Sequence, residues 1–152
     1  MDSAHWRDAM KIIRKGFARW WGGFRDGHGT ITTQSGALVD YPYAVASRFE
    51  GQAGTNPEEL LGAAHAGCFT MALSSVLADA KLTAEEMETS ADVTLETVAG
   101  GYAITAVHLT LKAKIAGIDQ ATFDELAAVA KANCPVSKVL NAAVTLDAQL
   151  SN

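Results

Sequence analysis

The chain has 152 residues, of which 49% are hydrophobic and 19% are charged, and its 17 acidic and 12 basic residues give a formal net charge of −5. This composition is typical of one globular domain that buries its own core, and it excludes a disordered chain. An acidic chain without a basic stripe also argues against nucleic-acid binding.

The two cysteines, Cys68 and Cys134, lie far apart in the sequence, so they form neither a C-x-x-C pair nor a disulfide framework. The first residues are charged and contain no apolar stretch of signal-peptide length. We therefore expect a cytoplasmic protein whose thiols rest in the reduced form. Residues 1–15 are interpreted as an N-terminal leader of unknown role, and residues 16–152 as a single domain.

The first part of the domain is predicted to be β-structure. Residues 16–38, GFARWWGGFRDGHGTITTQSGAL, mix aromatic and β-branched residues with glycine-rich turns, as short strands and hairpin loops do. Residues 43–51, YAVASRFEG, alternate well enough to indicate another strand. A break at GTN then precedes a long helix that begins at Pro57.

The second half of the chain predicts a hairpin, a helix and a final strand. SADVTLETV and YAITAVHLTLKAKI, on either side of a Gly-Gly turn, indicate two long strands. GIDQATFDELAAVAKAN indicates a helix with Asp119 as its N-cap. CPVSKVL indicates a short, kinked helical piece, and AAVTLDAQL a last strand. This order of elements predicts an α+β fold.

The helix predicted from Pro57 is apolar on nearly all sides. Asn56 suits its N-cap, and Glu59 can reach back to it as in a capping box. Leu60–Ala78 carries no formal charge and approaches transmembrane length. It nevertheless contains His65, glycines and hydroxyl residues, and it lacks a cationic flank. We therefore expect a central buried helix, wrapped by strands or shared with a second subunit.

Cys68 lies in the middle of this helix and admits two interpretations. Free cysteine is among the residues most often buried, so inert packing is one of them. The other is chemical, because small neighbouring residues would let a substrate approach the sulfur, and His65 lies near the same face. A Cys–His pair could activate a thiolate, although a core or interface histidine is the simpler interpretation of His65.

Cys134 precedes Pro135, which favours an extended conformation at the cysteine. If PVSKVL starts a new helical turn, Cys134 is its N-cap, where the helix dipole favours a thiolate. A zinc site would require four ligands at workable spacing, and the histidines of the chain are scattered. We therefore expect no metal.

Taken together, these stretches resemble the OsmC/Ohr family of organic hydroperoxide reductases. The resemblance is carried by SRFEG, GTNPEELLGAAHAGCFTMALS, ADVTLE with GGYAIT, and NCPVSKVLNAAVTLDAQL. It extends from about residue 16 to residue 150, and the leader departs from it. The blocks AAHAGCF and CPVSKVL resemble the OsmC branch more than the Ohr branch.

The resemblance implies an intertwined homodimer with active sites at the subunit interface, and a thiol peroxidase with no metal or organic cofactor. Cys68 matches the peroxidatic cysteine, which forms a sulfenic acid, and Cys134 matches the resolving cysteine, which forms a disulfide with it. Arg48 matches the arginine of the RFEG motif, and Glu58 the first glutamate of NPEE. The implied substrate is an organic hydroperoxide, and the implied reductant is a small dithiol of lipoyl type.

Helix geometry limits the role of Glu58. It lies about ten residues before Cys68 on the same helix, which is roughly 15 Å along the axis, so it cannot touch that sulfur. We expect Glu58 to hold Arg48 beside the Cys68 of the other subunit. Arg25, in a glycine-rich loop, is the alternative partner of the thiolate.

The substrate side of the site is the least specified. An apolar wall of Phe69, Met71 and Leu73 would suit organic hydroperoxides better than hydrogen peroxide. The competing hypothesis is a non-catalytic dimeric module that binds apolar ligands and in which Cys68 is merely buried. Loss of both thiols on treatment with an organic hydroperoxide would separate the two hypotheses.

Overall fold

The computed structural model describes residues 10–151, and its elements divide into two units after Asn56. The first unit holds an antiparallel sheet in the order β1-β2-β3 and one short helix. Its elements are β1 (Gly16–Trp21), β2 (His28–Thr33), β3 (Tyr41–Tyr43) and α1 (Val45–Phe49). Residues 1–9 of the leader lie outside the described residues, and the predicted boundaries of leader and domain stay a prediction.

The second unit begins with the long helix and holds a second sheet. Its strands lie in the order β4-β5-β6, with β4 antiparallel and β6 parallel to β5. Its elements are α2 (Pro57–Asp79), β4 (Glu86–Val98), β5 (Gly101–Lys114), α3 (Gln120–Asn133), α4 (Pro135–Val139) and β6 (Ala143–Ser151). The predicted α+β class is confirmed, as are the start of the long helix, the hairpin, the second helix and the final strand.

One predicted strand is wrong. YAVASRFEG was expected to be extended, but Val45–Phe49 within it forms the helix α1. The cause is the Ser47 hydroxyl, which accepts a hydrogen bond from the Ala44 N–H at 2.9 Å and donates to the Thr55 carbonyl at 2.8 Å. The first bond holds the start of a helical turn, and the second ties that turn to a later part of the chain.

The glycine pair between β4 and β5 makes the tight turn that the sequence predicts. Val98 lies opposite Gly101, so Ala99 and Gly100 alone form the loop. Gly100 has φ = 93° and Gly101 has φ = 149°, which residues with a Cβ rarely adopt. The turn therefore requires glycine, and it sets the register of the two longest strands.

The helix α3 begins at the predicted cap. The Asp119 carboxylate accepts a hydrogen bond from the Thr122 N–H at 2.8 Å. Hydrogen bonds from the Thr122 side chain and backbone hold the pKa of Asp119 below its usual value. The fully buried residues of this helix are Phe123, Ala127 and Ala130.

The core of the second unit lies between one face of the β4-β5-β6 sheet and the helices α2 and α3. Alternate residues of β5 point into this core, as the two-residue period of a strand requires. Its fully buried side chains include Phe69, Leu73, Val107, Leu109, Leu111 and Phe123. The sheet is thus the surface on which α2 is held.

Within the chain, α2 is buried on one side only. Its buried residues recur at helical spacing and are Gly62, His65, Phe69, Leu73 and Leu77. Gly62 allows close packing on β4, since a Cβ there would lie 3.0 Å from the Ala91 carbonyl oxygen. Met71, on the other side, is 76% exposed. The sequence predicts a helix that is buried on nearly all sides. A single chain does not bury α2 in this way.

α2 is also the one helix of residues 10–151 that is long and apolar enough to cross a membrane. The core helix of a soluble protein passes the same test of length and composition. The core residues of α2 pack against the sheet and α3, and 28% of its membrane-length span is buried within the chain.

Candidate active site

The fold brings the two cysteines together. Cys68 lies on α2, and Cys134 lies between α3 and α4, as the C-cap of one helix and the N-cap of the other. Pro135 occupies the first turn of α4 and ends the run of α3, since proline cannot continue a helix. The two thiols lie close enough to influence each other's ionisation.

The two thiols differ in exposure and in acidity. Cys134 is fully buried, whereas Cys68 is half-buried. Burial raises the pKa of the Cys68 thiol; the Val136 backbone opposes this, and the Cys134 sulfur, through its hydrogen bond and its charge, raises that pKa further. These surroundings disfavour the thiolate form of Cys68.

The surroundings of Cys134 have the opposite effect. Burial raises the pKa of a thiol, but at Cys134 it is outweighed by the nearby polar groups of Ser137, Cys68 and Val136, which hold the pKa of Cys134 below its ordinary value. The predicted N-cap position of Cys134 is confirmed, although its side chain makes no capping hydrogen bond.

His65 does not form the direct Cys–His pair that was one interpretation of the sequence. It is fully buried, and its Nε2 lies 2.7 Å from the Ser137 hydroxyl. Its Nδ1 is buried without a hydrogen-bond partner among the described residues. Burial lowers the pKa of His65. The interpretation of His65 as a core histidine is confirmed, and its polar contact is with Ser137.

The predicted charged residues occupy separate elements. Arg48 lies in α1, where its guanidinium carbon is 5.3 Å from the centre of the Phe49 ring. Arg25, the alternative, lies exposed in the turn between β1 and β2. Glu58 lies in the first turn of α2, on the same helix as Cys68. The roles of Arg48 and Glu58 at the thiols stay a prediction.

Two details of the site could not be read from the sequence correctly. The predicted apolar wall is wrong within one chain, because Phe69 and Leu73 are fully buried in the core while Met71 points away from it. Ser137 was missed. The available signal was its hydroxyl, three residues after a cysteine at an N-cap, a position from which side chains often bond the cap. Among residues 10–151, no group of three or more His, Cys, Asp or Glu side chains is arranged to hold a metal ion.

Comparison with known proteins shows which family this chain is similar to. The family model described as OsmC-like protein matches residues 49–149. The chain is 51% identical over 143 residues to "Peroxiredoxin OsmC" of Escherichia coli (strain K12), covering 94% of this chain and 100% of that protein. It is 32% identical over 130 residues to "Organic hydroperoxide resistance protein OhrB" of Bacillus subtilis (strain 168), covering 84% and 91% of the two chains.

The fold agrees with these similarities. The crystal structure of OhrB of Bacillus subtilis matches with a TM-score of 0.67 at 32% identity, covering 92% of this chain and 98% of the other. The resemblance predicted from the blocks around the two cysteines is confirmed. The chain belongs to the family of OsmC-like proteins.

Proposed function

We propose that this protein reduces organic hydroperoxides to alcohols, and hydrogen peroxide less efficiently, with Cys68 and Cys134 as its working thiols. Its family membership makes it a peroxidase-type enzyme with an antioxidant role. The finer proposal is carried by the proximity of the two thiols, which influence each other's ionisation. Two neighbouring thiols on packed helices can form a disulfide once their sulfurs come within bonding distance.

In the first step, the Cys68 thiolate attacks one oxygen of the hydroperoxide. A sulfur–oxygen bond forms, the oxygen–oxygen bond breaks, and the alkoxide takes a proton and leaves as the alcohol. The sulfur is oxidised by two electrons to a sulfenic acid. Cys68 suits this step because it is the more exposed of the two thiols.

In the second step, the Cys134 thiolate attacks the sulfur of the Cys68 sulfenic acid. A disulfide forms, and hydroxide leaves and takes a proton to become water. The lowered pKa of Cys134 supports this role, because the thiolate is the nucleophile. An external dithiol of lipoyl type then supplies two electrons and restores both thiols. We also propose that the enzyme works in the cytoplasm, where cellular thiols keep its disulfide reducible.

The first step requires a cation. A thiol with an ordinary pKa is only about 3% ionised at neutral pH, and the pKa of Cys68 is raised by its surroundings. We assign the stabilising charge to Arg48, since a guanidinium stays protonated at any physiological pH. Glu58 holds that arginine in this proposal, and Arg25 is the alternative.

The proposed site is shared between two copies of the chain. Glu58 cannot reach the Cys68 of its own helix, from which it is separated by roughly 15 Å. The outward side of α2 carries Ala64, Gly67 and the exposed Met71, followed by the exposed Ser74 and Ser75. A second copy covering this side would bury the helix as its sequence predicts and would bring one subunit's Glu58 to the other's Cys68.

The proposal is tested by counting thiols and following peroxide. Reduced protein treated with substoichiometric cumene hydroperoxide should lose two free thiols for each peroxide molecule consumed. Peptide mass spectrometry should then show a Cys68–Cys134 disulfide. With dithiothreitol present, turnover should continue. Cys68→Ser should abolish it, and Cys134→Ser should allow over-oxidation of Cys68. An unchanged thiol count would instead support the non-catalytic module that binds apolar ligands.

The shared site has its own test. Cys68→Ser and Glu58→Ala proteins, each inactive, are unfolded, mixed and refolded together. If the site uses both subunits, half of the dimers are mixed and carry one intact site, so about a quarter of the wild-type activity should return. A mixture that stays inactive while forming mixed dimers would exclude a shared site.

A further inference from the structure

The short helix α4 has little apolar anchoring of its own. None of its five residues, all of them in the described part of the chain, is fully buried. Val136 is partly buried against the core, and Val139 is exposed. A helix of one turn is not stable by itself. The place of α4 on the protein therefore depends on contacts with its neighbours, and Cys134 is the residue from which this helix starts.

One such contact is a hydrogen bond to the long helix α2. The Nε2 of His65 lies 2.7 Å from the Ser137 hydroxyl, although the two residues are 72 positions apart in the chain. In either tautomer of the ring, one of these two atoms can donate to the other. The bond joins α2 to α4, and the two helices pack against each other.

The histidine makes this contact from a fully buried position. His65 is fully buried, and its Nδ1 has no hydrogen-bond partner among residues 10–151. A buried polar atom without a partner destabilises a fold, and an apolar side chain would avoid that loss. A hydrogen bond shielded from water is stronger than one at the surface. What His65 supplies, and an apolar core residue could not, is a directional contact with α4.

The bond lies close to both cysteines. His65 precedes Cys68 by three residues in α2, and Ser137 follows Cys134 by three residues at the start of α4. Three residues are nearly one helical turn, about 4.5 Å along the axis. Cys134 belongs to the buried core, and Cys68 packs against that core. A bond between α2 and α4 at this point therefore limits how far the two thiols can move apart.

We propose that His65 and Ser137 are positioning residues whose hydrogen bond holds α4 against α2, so that Cys134 stays within reach of Cys68. The inference rests on the proposed function, whose second step joins these two sulfurs. Neither residue touches the peroxide. The bond raises the effective concentration of one thiol at the other, because an α4 that is already ordered loses less conformational freedom when the disulfide forms.

This effective concentration can be measured as a redox equilibrium. Dithiothreitol gives two electrons and two protons to the Cys68–Cys134 disulfide, which becomes two thiols, and dithiothreitol becomes a cyclic disulfide. Ser137→Ala should make the protein disulfide about two- to tenfold less stable, the range expected for one hydrogen bond. A tenfold change corresponds to a reduction potential that is higher by about 30 mV.

The experiment requires no peroxide. The disulfide is formed with diamide and equilibrated in buffers of reduced and oxidised dithiothreitol, and the free thiols are alkylated and counted by mass spectrometry. Ser137→Thr keeps the hydroxyl and should keep the wild-type equilibrium. His65→Phe should shift the equilibrium as Ser137→Ala does. The double variant should shift it no further, because either change removes the same bond.

The chain offers a matched control in another hydroxyl contact of α2. The Thr70 hydroxyl lies 2.7 Å from the Thr89 hydroxyl of β4, so this contact ties α2 to the sheet and not to α4. Thr89→Val removes it and should leave the redox equilibrium unchanged, with circular dichroism to check that each variant is folded. An equal shift for Thr89→Val and Ser137→Ala would overturn the proposal, as would an unchanged equilibrium in folded Ser137→Ala.

The fate of the sulfenic acid gives a second measurement. In excess cumene hydroperoxide, the Cys68 sulfenic acid either condenses with Cys134 and releases water, or is oxidised by a second hydroperoxide to a sulfinic acid with release of a second alcohol. Ser137→Ala should raise the ratio of sulfinic acid to disulfide by about two- to tenfold, and Thr89→Val should not. An unchanged ratio would contradict the positioning role. If the wild-type protein consumes no hydroperoxide, the proposed function fails, while the dithiothreitol equilibrium still decides whether this bond positions Cys134.

Discussion

A single substitution on the outward side of α2, at Met71, can test whether the chain forms the proposed homodimer. Met71 is 76% exposed in the single chain, although it lies on a helix that carries core residues on its other side. In the proposed homodimer, this side is covered by a second copy. We therefore expect Met71→Asp to weaken the dimer without unfolding the chain.

The size of the effect follows from the exposed surface. Complete burial of a methionine side chain is worth about 1.5–3 kcal/mol, and the 76% of Met71 that remains exposed represents roughly 1–2 kcal/mol of it. A two-fold interface contains this side chain twice, so the loss is roughly 2–4 kcal/mol. The dissociation constant of the dimer should rise by roughly 30- to 700-fold, and burying an aspartate would add to that.

The assay is sedimentation velocity over a concentration series, with circular dichroism to check the fold. Met71→Leu should keep the dimer, because it preserves the apolar surface. Val129→Asp, which places the same charge on the half-exposed side of α3, should leave association unchanged. If Met71→Asp dimerises as tightly as the wild-type chain, the interface does not include this side of α2, and the reasoning fails.

Three further variants test the packing of the second unit. Gly62→Ala should destabilise the protein in urea titrations despite its gain in helix propensity, because the new Cβ would lie 3.0 Å from the Ala91 carbonyl oxygen; a net gain would refute the close packing of α2 on β4. Phe69→Ala, at a fully buried position, should cost about 3–5 kcal/mol of unfolding free energy, and a much smaller loss would contradict its place in the core. Asp119→Ala should lower the melting temperature at neutral pH by removing the hydrogen bond to the Thr122 N–H, with Asp119→Asn as the control that retains an acceptor. Because the folded pKa of Asp119 is lowered, its stabilisation is present above the ordinary carboxyl pKa and is lost as the pH falls through the folded value. The melting temperatures of the wild-type and Asp119→Ala proteins should therefore converge in acid and not in base.

Local patterns in the sequence were sufficient for several elements. Asp119 before an amphipathic stretch predicted the start of α3, and the Gly-Gly pair predicted the turn between β4 and β5. The start of α2 at Pro57 was predicted in the same way. Each of these depends on the backbone preferences of a few adjacent residues, so a short stretch of sequence is enough to predict it.

Where a distant contact decides the outcome, the local pattern was misleading or silent. YAVASRFEG alternates like a strand, but the bond from Ser47 to the Thr55 carbonyl accompanies a helical turn there. Met71 was grouped with Phe69 and Leu73 by apolar character alone. Helical spacing puts it on the other side of α2, away from the core.

By itself, the sequence determined the α+β class, the long helix that carries Cys68 and the cap position of Cys134, because these follow from local periodicity and from proline and cap chemistry. Only the tertiary structure decided that Cys68 lies near Cys134, that His65 contacts Ser137, and that Cys134 is fully buried while Cys68 is half-buried. The physical reason is that hydrogen bonds and burial act over a few ångströms. The packing of α2, α3 and α4 determines which side chains come that close. The spacing of these residues along the chain does not predict it.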